Sequence, residues 1–408
     1  MLLDVGRLAP DPPSEQRFIL AICSVLAVAA PLCLYFGVRG FAPVVGIGGV
    51  LCLPWARPAR HDWPGILILA ALVAWACVGI AWTPAPNLHP RSLKDVSRLT
   101  ILHLGLELVL CVAFVTALAR LGPAPARKAL TWLAYGLLAI ELAVLVDGLF
   151  HAAFYQWLIT LTHGRTRPDL AIRALAQGGY AAAVMVWPLG MALRRQGQPR
   201  LAWALAAFMP LSLIIMRGFA PTAALAASVI GFYLAYRFGR RAVIAFAVLT
   251  AAYMLLTPLV MIAIDHGGVY ALAKDHVPPS WAERLRIWSF VAERFQEHPV
   301  RGAGLDASRV YPGVVPLHPH NGPLQLWFEL GLPGALFGTV FWLWLWRRIG
   351  DCADRNRLYG AVASATAMVY LMISAVGFGL WQEWWICLGA LAMALSILFS
   401  KTLAASVS

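Results

Sequence analysis

The sequence predicts an all-α polytopic membrane protein with about 12 transmembrane helices and one long outer loop that contains an amphipathic helix. Of the 408 residues, 61% are hydrophobic and only 12% are charged, whereas about a quarter of the residues in an ordinary soluble domain are charged. Apolar runs of about 20 residues, long enough to cross a bilayer, recur along the whole chain. Only helices satisfy the backbone of such runs in lipid, because a barrel would need strands of alternating polarity.

Twelve apolar runs define the predicted spans, and residues 1–408 are predicted to form a single integral membrane domain. The first run is too long for a cleavable signal peptide and lacks a small-residue cleavage site. The predicted spans cover residues 17–36, 40–55, 63–82, 99–120, 129–150, 174–193, 201–216, 219–236, 242–264, 323–346, 358–380 and 384–402.

The seven cysteines show neither a disulfide framework nor a CxxC metal-binding spacing. Six of them fall inside apolar runs and one, Cys352, lies in a short polar loop, so we interpret them as small buried side chains. No metal site and no cofactor are predicted. A zinc site at the histidines described below would lack ligands, since neither a cysteine nor an HExxH motif accompanies them.

The loops that follow the even-numbered spans are short and basic, which indicates that they and both chain termini are cytoplasmic. The opposite orientation would place all five basic loops outside. These loops contain Arg57 and Arg60; Arg120, Arg127 and Lys128; Arg194, Arg195 and Arg200; Arg237, Arg240 and Arg241; and Arg347, Arg348, Arg355 and Arg357.

The short outer loops carry more positive charge than this rule leads one to expect. The residues concerned are Arg91, Lys94, Arg98, Arg165, Arg167, Arg173 and Arg217. Each of them alone could contact lipid headgroups or form an ion pair within its loop. Together they favour an anionic ligand at the outer face, because the arginine fork matches phosphate oxygens. The net charge of +13 does not indicate nucleic acid, since more than half of the basic residues lie in the inner loops and termini.

The long outer loop, residues 265–321, contains a predicted amphipathic helix. Ser280 and Glu283 have the spacing of a capping box, which predicts a helix that begins at Trp281. At helical spacing Arg284 falls at the edge of the apolar stripe and Arg286 on the opposite, solvent-facing side. An inward arginine is costly unless it is paired, so Arg284 indicates a ligand site. The alternative is an ion pair with a carboxylate such as Asp306. The stripe consists of Trp281, Leu285, Trp288, Ala292 and Phe295.

The same loop ends in "LHPHNGPLQLWFELGLPG", residues 317–334, where His318, His320 and Asn321 stand immediately before a span. Pro323 suits the first turn of a helix. The free N–H groups of that helix end would point at a ligand. Two histidines, an asparagine and nearby arginines therefore favour a polar pocket over isolated interfacial side chains. The intramembrane acids Glu107, Glu141, Asp147 and Glu329 are candidates by default, but Glu107 and Glu141 are left out of the predicted site.

These residues resemble the O-antigen ligase family, to which the O-antigen polymerases are related. Its signature is His followed by Asn, Ser or Gln, then nine residues, Gly, two residues, and Gly, Thr or Tyr. It is matched here by His320, Asn321, Gly331 and Gly334. The loop pattern of the family is similar to "ERLRIWSFVAERFQEHPVRGAGLD", and its "SRGA..A" segment is similar to "MRGFAPTAALAA", with Met216 in place of Ser or Thr. The resemblance covers roughly residues 210–335.

The resemblance implies a glycosyltransferase of the bacterial inner membrane, with its active site facing the periplasm. Its donor would be O-antigen polysaccharide on undecaprenyl pyrophosphate, and its acceptor a sugar hydroxyl of lipid A-core. The family uses no nucleotide, and the ligase uses no metal. His320 would then be the general base, since an imidazole suits that role near neutral pH. The expected roles of the others are diphosphate binding by Arg217, Arg284, Arg173 and Arg167, and substrate positioning by His318, Asn321 and Trp288.

Three other functions remain open from the sequence. An O-antigen polymerase would use the same donor twice, and a protein O-oligosaccharyltransferase would transfer to Ser or Thr. No residue distinguishes these acceptors, although the absence of an extra C-terminal segment after the twelfth span favours the ligase. A transporter or flippase would predict internal repeats and charges near mid-membrane, whereas the informative charges here gather at one face.

The orientation predicts which introduced cysteines an impermeant thiol reagent can reach in intact cells. In a background without native cysteines, Gly268→Cys should react, because it lies in the long outer loop. Gly197→Cys should be protected until the membrane is opened, because it lies between Arg195 and Arg200 in an inner loop. The reverse labelling pattern would contradict the orientation and every role assigned to an outer residue.

Overall fold

A computed structural model describes residues 13–85, 99–164, 167–273 and 275–404, and every regular element in these ranges is a helix. The lysine and two of the arginines predicted in outer loops, Lys94, Arg91 and Arg98, lie outside the described residues, as does Arg165. The α-helices are α1 (Pro13–Phe36), α2 (Phe41–Cys52), α3 (Trp63–Val78), α4 (Thr100–Leu118), α5 (Pro123–Leu149), α6 (Ala153–His163), α7 (Pro168–Arg195), α8 (Pro199–Ile215), α9 (Phe219–Phe238), α10 (Arg240–His266), α11 (Val269–Ala273), α12 (Pro279–Arg294), α13 (Gly322–Arg355), α14 (Arg357–Val376) and α15 (Glu383–Ala404).

Helices lie at all twelve predicted positions, which confirms an all-α polytopic membrane protein. Within the described ranges, eleven helical segments are long and apolar enough to cross a membrane, when α2 and α3 are taken with their adjoining 3-10 turns as Val38–Trp55 and Trp63–Ala81. The remaining apolar helix, α8, has 17 residues and is shorter than these segments. Several helices differ in length from the predicted spans: α5 begins at Pro123 and α7 at Pro168, whereas the predicted spans begin at 129 and 174. α13 continues to Arg355 because its polar last turns pair with the neighbouring helix: Arg240 lies 3.0 Å from Asp351 and 2.8 Å from Asp354. α14 ends at Val376, where Gly377 caps it.

The loops separate into two ends of the helix bundle, which we call inner and outer after the predicted orientation. At the inner end, Arg120 pairs with Glu15 at 3.2 Å, and Arg240 makes the pairs described above. Among the described residues, the outer end comprises 37–40, 79–85, 150–164, 167, 216–218, 267–273, 275–321 and 377–382. The predicted basic loops and the predicted ligand site therefore lie at opposite ends of the bundle.

The amphipathic helix α12 lies across the outer end of the bundle and packs on α10 and α13. Its Ile287, Trp288, Val291 and Ala292 are buried against residues such as Met261 and Phe328. The predicted capping box is wrong, because the helix begins two residues earlier and Pro278 is its N-cap without a side-chain cap. Two successive prolines start this helix, since Pro279 suits a first helical position. Glu283 is thereby free to pair with Arg286 at 2.6 Å.

Helix α13 is broken at Gly331, nine residues below its outer end. Gly331 has φ 62° and ψ −156°, a conformation that only glycine adopts readily. At a rise of about 1.5 Å per residue, the break lies about 14 Å inside the helix. Backbone groups exposed at such depth must find partners within the protein, because the hydrocarbon core offers none.

Residues 298–304 of the outer loop fill this break and supply those partners. Ala303 N donates to Phe328 O, and Gly304 N donates to Glu329 O, both at 2.8 Å. Leu332 N donates to Pro299 O at 3.0 Å, and the Trp75 indole donates to Leu330 O at 2.8 Å. The approach is so close that a Cβ on Gly331 would overlap Val300 O. Four residues of the family-like sequence patterns thus serve to dock the loop into the broken helix: Pro299, Gly302, Gly304 and Gly331.

Gly331→Ala should therefore destabilise the protein, and Gly313→Ala should not. A side chain at Gly331 meets both a disfavoured backbone conformation, at about 1–3 kcal/mol, and the Val300 carbonyl. Gly313 belongs to the same outer loop, and a Cβ there meets nothing within 4 Å. Thermal unfolding in detergent checks the pair. Equal melting temperatures for the two variants would contradict the docking geometry.

Candidate functional site

The segment His318–Asn321 is held between the loop helix and the start of α13. The Trp288 indole donates to Pro319 O at 2.9 Å and is itself buried. Asn321 is the N-cap of α13, and its Oδ1 accepts from Leu324 N at 3.0 Å. Both residues were predicted to position a substrate. Their contacts position the histidine-bearing backbone between them, since Asn321 is only 1% exposed.

His320 presents one ring nitrogen with an unshared lone pair. Its Nδ1 lies 2.7 Å from Gly377 O, and a carbonyl oxygen can only accept, so Nδ1 carries the proton. Nε2 is then the unprotonated nitrogen, and it has no protein partner among the described residues. The backbone of His320 is left-handed, with φ 56°, an uncommon conformation for a residue other than glycine. The strained backbone and the Gly377 contact together fix the orientation of the ring.

His318 stands beside His320, with ring centroids 4.2 Å apart, but both of its nitrogens are engaged. Its Nδ1 accepts from the backbone N–H of His320 at 3.2 Å, so Nε2 carries the proton. That nitrogen lies 3.0 Å from the Gln382 amide. With this amide turned by 180°, Gln382 Oε1, which otherwise has no partner, accepts the Nε2–H. His318 therefore supports the backbone of His320 and has no free lone pair.

Burial lowers the pKa of both imidazoles. The pKa of His318 falls to about 3, chiefly by desolvation and then through His320, Arg309 and Arg284. The pKa of His320 falls by desolvation and through Arg284, while its hydrogen bond to Gly377 and the charge of Glu283 oppose the change. Both rings are consequently neutral at pH 7. Because the pKa of His320 lies below 6.5, its Nε2 keeps the lone pair as the pH falls to that value.

Arg284 faces the histidines from α12 with a guanidinium that no carboxylate neutralises among the described residues. Its Nη1 donates to Ser280 O at 3.1 Å, and the guanidinium lies 5.4 Å from the centre of the Trp281 ring. Its Nε is buried without a hydrogen-bond partner, and burial lowers the pKa of Arg284. The alternative pairing with Asp306 is wrong, because Asp306 pairs with Arg309 at 3.0 Å.

The other predicted arginines lie next to members of a separate buried cluster at the outer end. Arg217 is exposed, has φ 57° and follows the buried Met216. Met216 packs in one cluster with Ala171 and Leu175, which flank the exposed Arg173. Arg167 is 76% exposed and pairs with Asp169 at 2.8 Å. Within the described ranges, no hydrogen bond or ion pair joins these three arginines to His320, so their role in diphosphate binding stays a prediction.

Two residues at the site, Tyr180 and Arg39, were missed in the sequence analysis, and a third, Glu329, was recognised only as an acid in or near a span. Tyr180 of α7 packs edge-on against Phe378 at 4.9 Å, beside the carbonyl that holds His320. Glu329 is fully buried beneath the histidines. Arg39 lies in the outer turn between α1 and α2 and lines a cleft with His318. Arg39 carried a usable signal, a basic residue in a short outer loop, whereas nothing in the sequence links Tyr180 to the site.

The fold and site define a multi-pass membrane protein whose polar centre lies at one end of the bundle, and comparison with known proteins agrees. Residues 204–339 match the family model described as "O-Antigen ligase", which confirms the resemblance to that family. This region begins within α8 and ends within the second half of α13. It contains Arg217, the whole of α12 and both histidines.

Similar proteins are found in Rickettsia. A protein of Rickettsia conorii named "Putative polysaccharide ligase" is 35% identical over 138 residues, which cover 30% of this chain and 33% of the relative. A protein of the same name from Rickettsia bellii is 37% identical over 123 residues, covering 26% and 29%. The match thus spans about a third of the length of these relatives. The comparisons support a ligase-type function and a glycosyltransferase-type enzyme.

The geometry predicts different reactivities for the two histidines toward diethyl pyrocarbonate, which attacks an unprotonated ring nitrogen. At pH 6.5, His320 should react much faster than His318, since only His320 has a free Nε2. Its lowered pKa should keep it reactive below pH 6.5. Mass spectrometry of the peptides measures both rates, and the exposed His276, whose Nδ1 contacts Leu272 O at 2.9 Å, is the accessible control. Faster modification of His318 would contradict the assigned tautomers.

Proposed function

We propose that this protein is an O-antigen ligase of the bacterial inner membrane. It transfers O-antigen polysaccharide from undecaprenyl pyrophosphate to a sugar hydroxyl of lipid A-core at the periplasmic face and so completes lipopolysaccharide. The observation that supports this most directly is that His320 and Arg284 lie together at the outer end of the bundle. The Nε2 lone pair of His320 is unshared, and no described carboxylate neutralises the charge of Arg284. A base and a fixed cation are what transfer from a diphosphate to an alcohol requires.

The reaction follows from these two groups. His320 Nε2 accepts the proton of the acceptor hydroxyl while that oxygen bonds to the anomeric carbon of the donor. The bond from the anomeric carbon to the diphosphate oxygen breaks, and undecaprenyl pyrophosphate leaves with the electron pair. Direct displacement of this kind inverts the anomeric centre. His320 gains one proton and returns it to solvent after product release.

The leaving group takes up most of the developing negative charge, and Arg284 is suited to stabilise it. Its Nε is buried without a partner, and a fixed donor aimed at developing charge contributes about 2.7–4 kcal/mol in comparable sites. The same cation disfavours protonation of His320, so one residue serves both the leaving group and the base. Arg217, Arg173 and Arg167 are proposed to bind phosphate groups of the donor.

The acceptor separates the ligase from its related alternatives. Purified protein is incubated with lipid-linked glycan and lipid A-core, and the products are separated by gel electrophoresis. Glycan on lipid A supports the ligase. Glycan lengthened on undecaprenyl pyrophosphate supports a polymerase, and glycan on a peptide supports a protein O-oligosaccharyltransferase. Donor translocation without any transfer would support a flippase.

In the same assay, His320→Ala should lower turnover by about 10²–10⁴, the usual share of a general base. Arg284→Ala should also reduce transfer strongly, and Arg284→Lys should restore it only in part, because lysine lacks the bidentate fork. Arg286→Ala is the matched control from the same helix, since Arg286 already pairs with Glu283 at 2.6 Å. It should lose little activity.

Melting temperature and donor binding must accompany these rates. A variant that is stable, binds the donor and turns over slowly supports a catalytic role for His320. A stable, donor-binding and fully active His320→Ala enzyme would eliminate it, and equal losses for Arg284→Ala and Arg286→Ala would remove the role of Arg284.

A further inference from the structure

A second polar cleft opens at the outer end and is lined by His318 but not by Arg284. Its volume is about 310 Å³, at the lower end of the range for small-molecule sites. It is bounded by the turn between α1 and α2, the segments around residues 306–309 and 317–318, and the start of α15. The lining residues that could contact a ligand include Arg39, Asp306, Arg309, His318, Trp381 and Glu383.

Both carboxylates of this cleft have partners within the protein. Asp306, with its side chain 2% exposed, accepts from Arg309 at 3.0 Å and from the Thr100 hydroxyl. Glu383 pairs with His103 at 2.5 Å. Arg39, by contrast, is exposed and makes no ion pair within the described part of the chain. Arg39 is therefore a cation of this cleft that no described carboxylate contacts.

His318 connects this cleft to the catalytic centre. It lines the cleft, and its ring lies 4.2 Å from that of His320. The charges of Arg309, which lines the cleft, and of Arg284, which does not, both act on its imidazole. Two separate groups of arginines thus lie near the pair of histidines. Such an arrangement suits two substrates that meet at the base.

We propose that this cleft binds an anionic substituent, a phosphate or a carboxylate, of the acceptor glycan, with Arg39 as its principal cation. The inference rests on the function proposed above and adds a specificity-determining subsite to it. The guanidinium fork suits either anion. The indole of Trp381 is partly exposed in the cleft and offers an aromatic face to a sugar ring. A cleft of this size accommodates a sugar with its charged group and not a long chain, which favours the acceptor end near the reacting hydroxyl.

The test compares Arg39→Gln with wild-type protein in nanodiscs of phosphatidylcholine. The dissociation constant for purified lipid A-core is measured directly, and the KM values for acceptor and donor are measured separately. Arg39→Gln should raise the dissociation constant and the acceptor KM about tenfold, the size of one charged hydrogen bond, and leave the donor KM unchanged. Arg39→Lys should recover part of the affinity. Arg294→Gln is the control, because Arg294 also lies at the outer end, in the last turn of α12, and its charge is already paired with Glu297 at 2.5 Å.

Modified acceptors identify the anion. Phosphatase-treated or carboxyl-reduced lipid A-core should bind wild-type protein more weakly, and whichever treatment removes the bound anion should cost Arg39→Gln nothing further. The subsite would be overturned if the losses of affinity from acceptor treatment and from Arg39→Gln were additive for both treatments. A change in the donor KM alone, or an equal effect of Arg294→Gln, would overturn it too. An effect that appears only when phosphatidylglycerol replaces phosphatidylcholine would assign Arg39 to lipid headgroups. Wild-type protein that binds the acceptor through Arg39 without any transfer would refute the proposed function and retain the subsite.

Discussion

The arrangement of the outer site depends on one buried carboxylate, Glu329 of α13, which accepts four hydrogen bonds. Its Oε2 accepts from Asp306 N at 3.0 Å and from the Trp381 indole at 2.6 Å. Its Oε1 accepts from the Ser308 hydroxyl at 2.7 Å and from Gln325 Nε2 at 3.2 Å. Glu329 is completely buried, and a buried carboxylate is tolerated only where donors surround it. This side chain therefore joins the outer loop, the upper half of α13 and the turn after α14, the three segments that carry the site.

The recognised sequence signature acquires a physical explanation from this network. His320 lies at the outer rim, Asn321 caps the helix that follows, and Gly331 breaks that helix so that residues 298–304 can pair with its freed carbonyls. The helical spacing between His320 and Gly331 thus fixes the depth at which the outer loop docks. Among the members of the signature, only His320 has a ring nitrogen whose lone pair no described residue shares. The remaining members hold backbone in place, and Glu329 lies between them.

The helices and the two polar ends of the bundle could be predicted because they follow from local composition. Long apolar runs, short basic loops and a surplus of outer arginine are all properties of neighbouring residues. The capping box failed because Pro278 and Pro279 start α12 earlier than Ser280 does. Tyr180 and Glu329 could not be assigned, since their partners lie far away in the chain. Glu329 was recognised only as an acid within a span, and its role depends on donors about 20 and about 50 residues away. Arg39 carried a local signal, but the cleft that it lines is built from segments distant in the sequence. Arg217 matched the family pattern, yet its local sequence could not reveal which buried residues lie beside it.

Hydrogen–deuterium exchange of a Glu329→Gln variant tests the central role of this carboxylate most directly. The amide of glutamine has nearly the same shape, but its N–H₂ group would face Gln325 Nε2, whose orientation is fixed because Gln325 Oε1 accepts from Leu380 N at 2.9 Å. We expect faster exchange in the segments around residues 298–308 and 377–382, with little change at the inner end. The exposed Glu293→Gln variant on α12 is the control and should match the wild type. Unchanged exchange in both outer segments of Glu329→Gln would contradict the account.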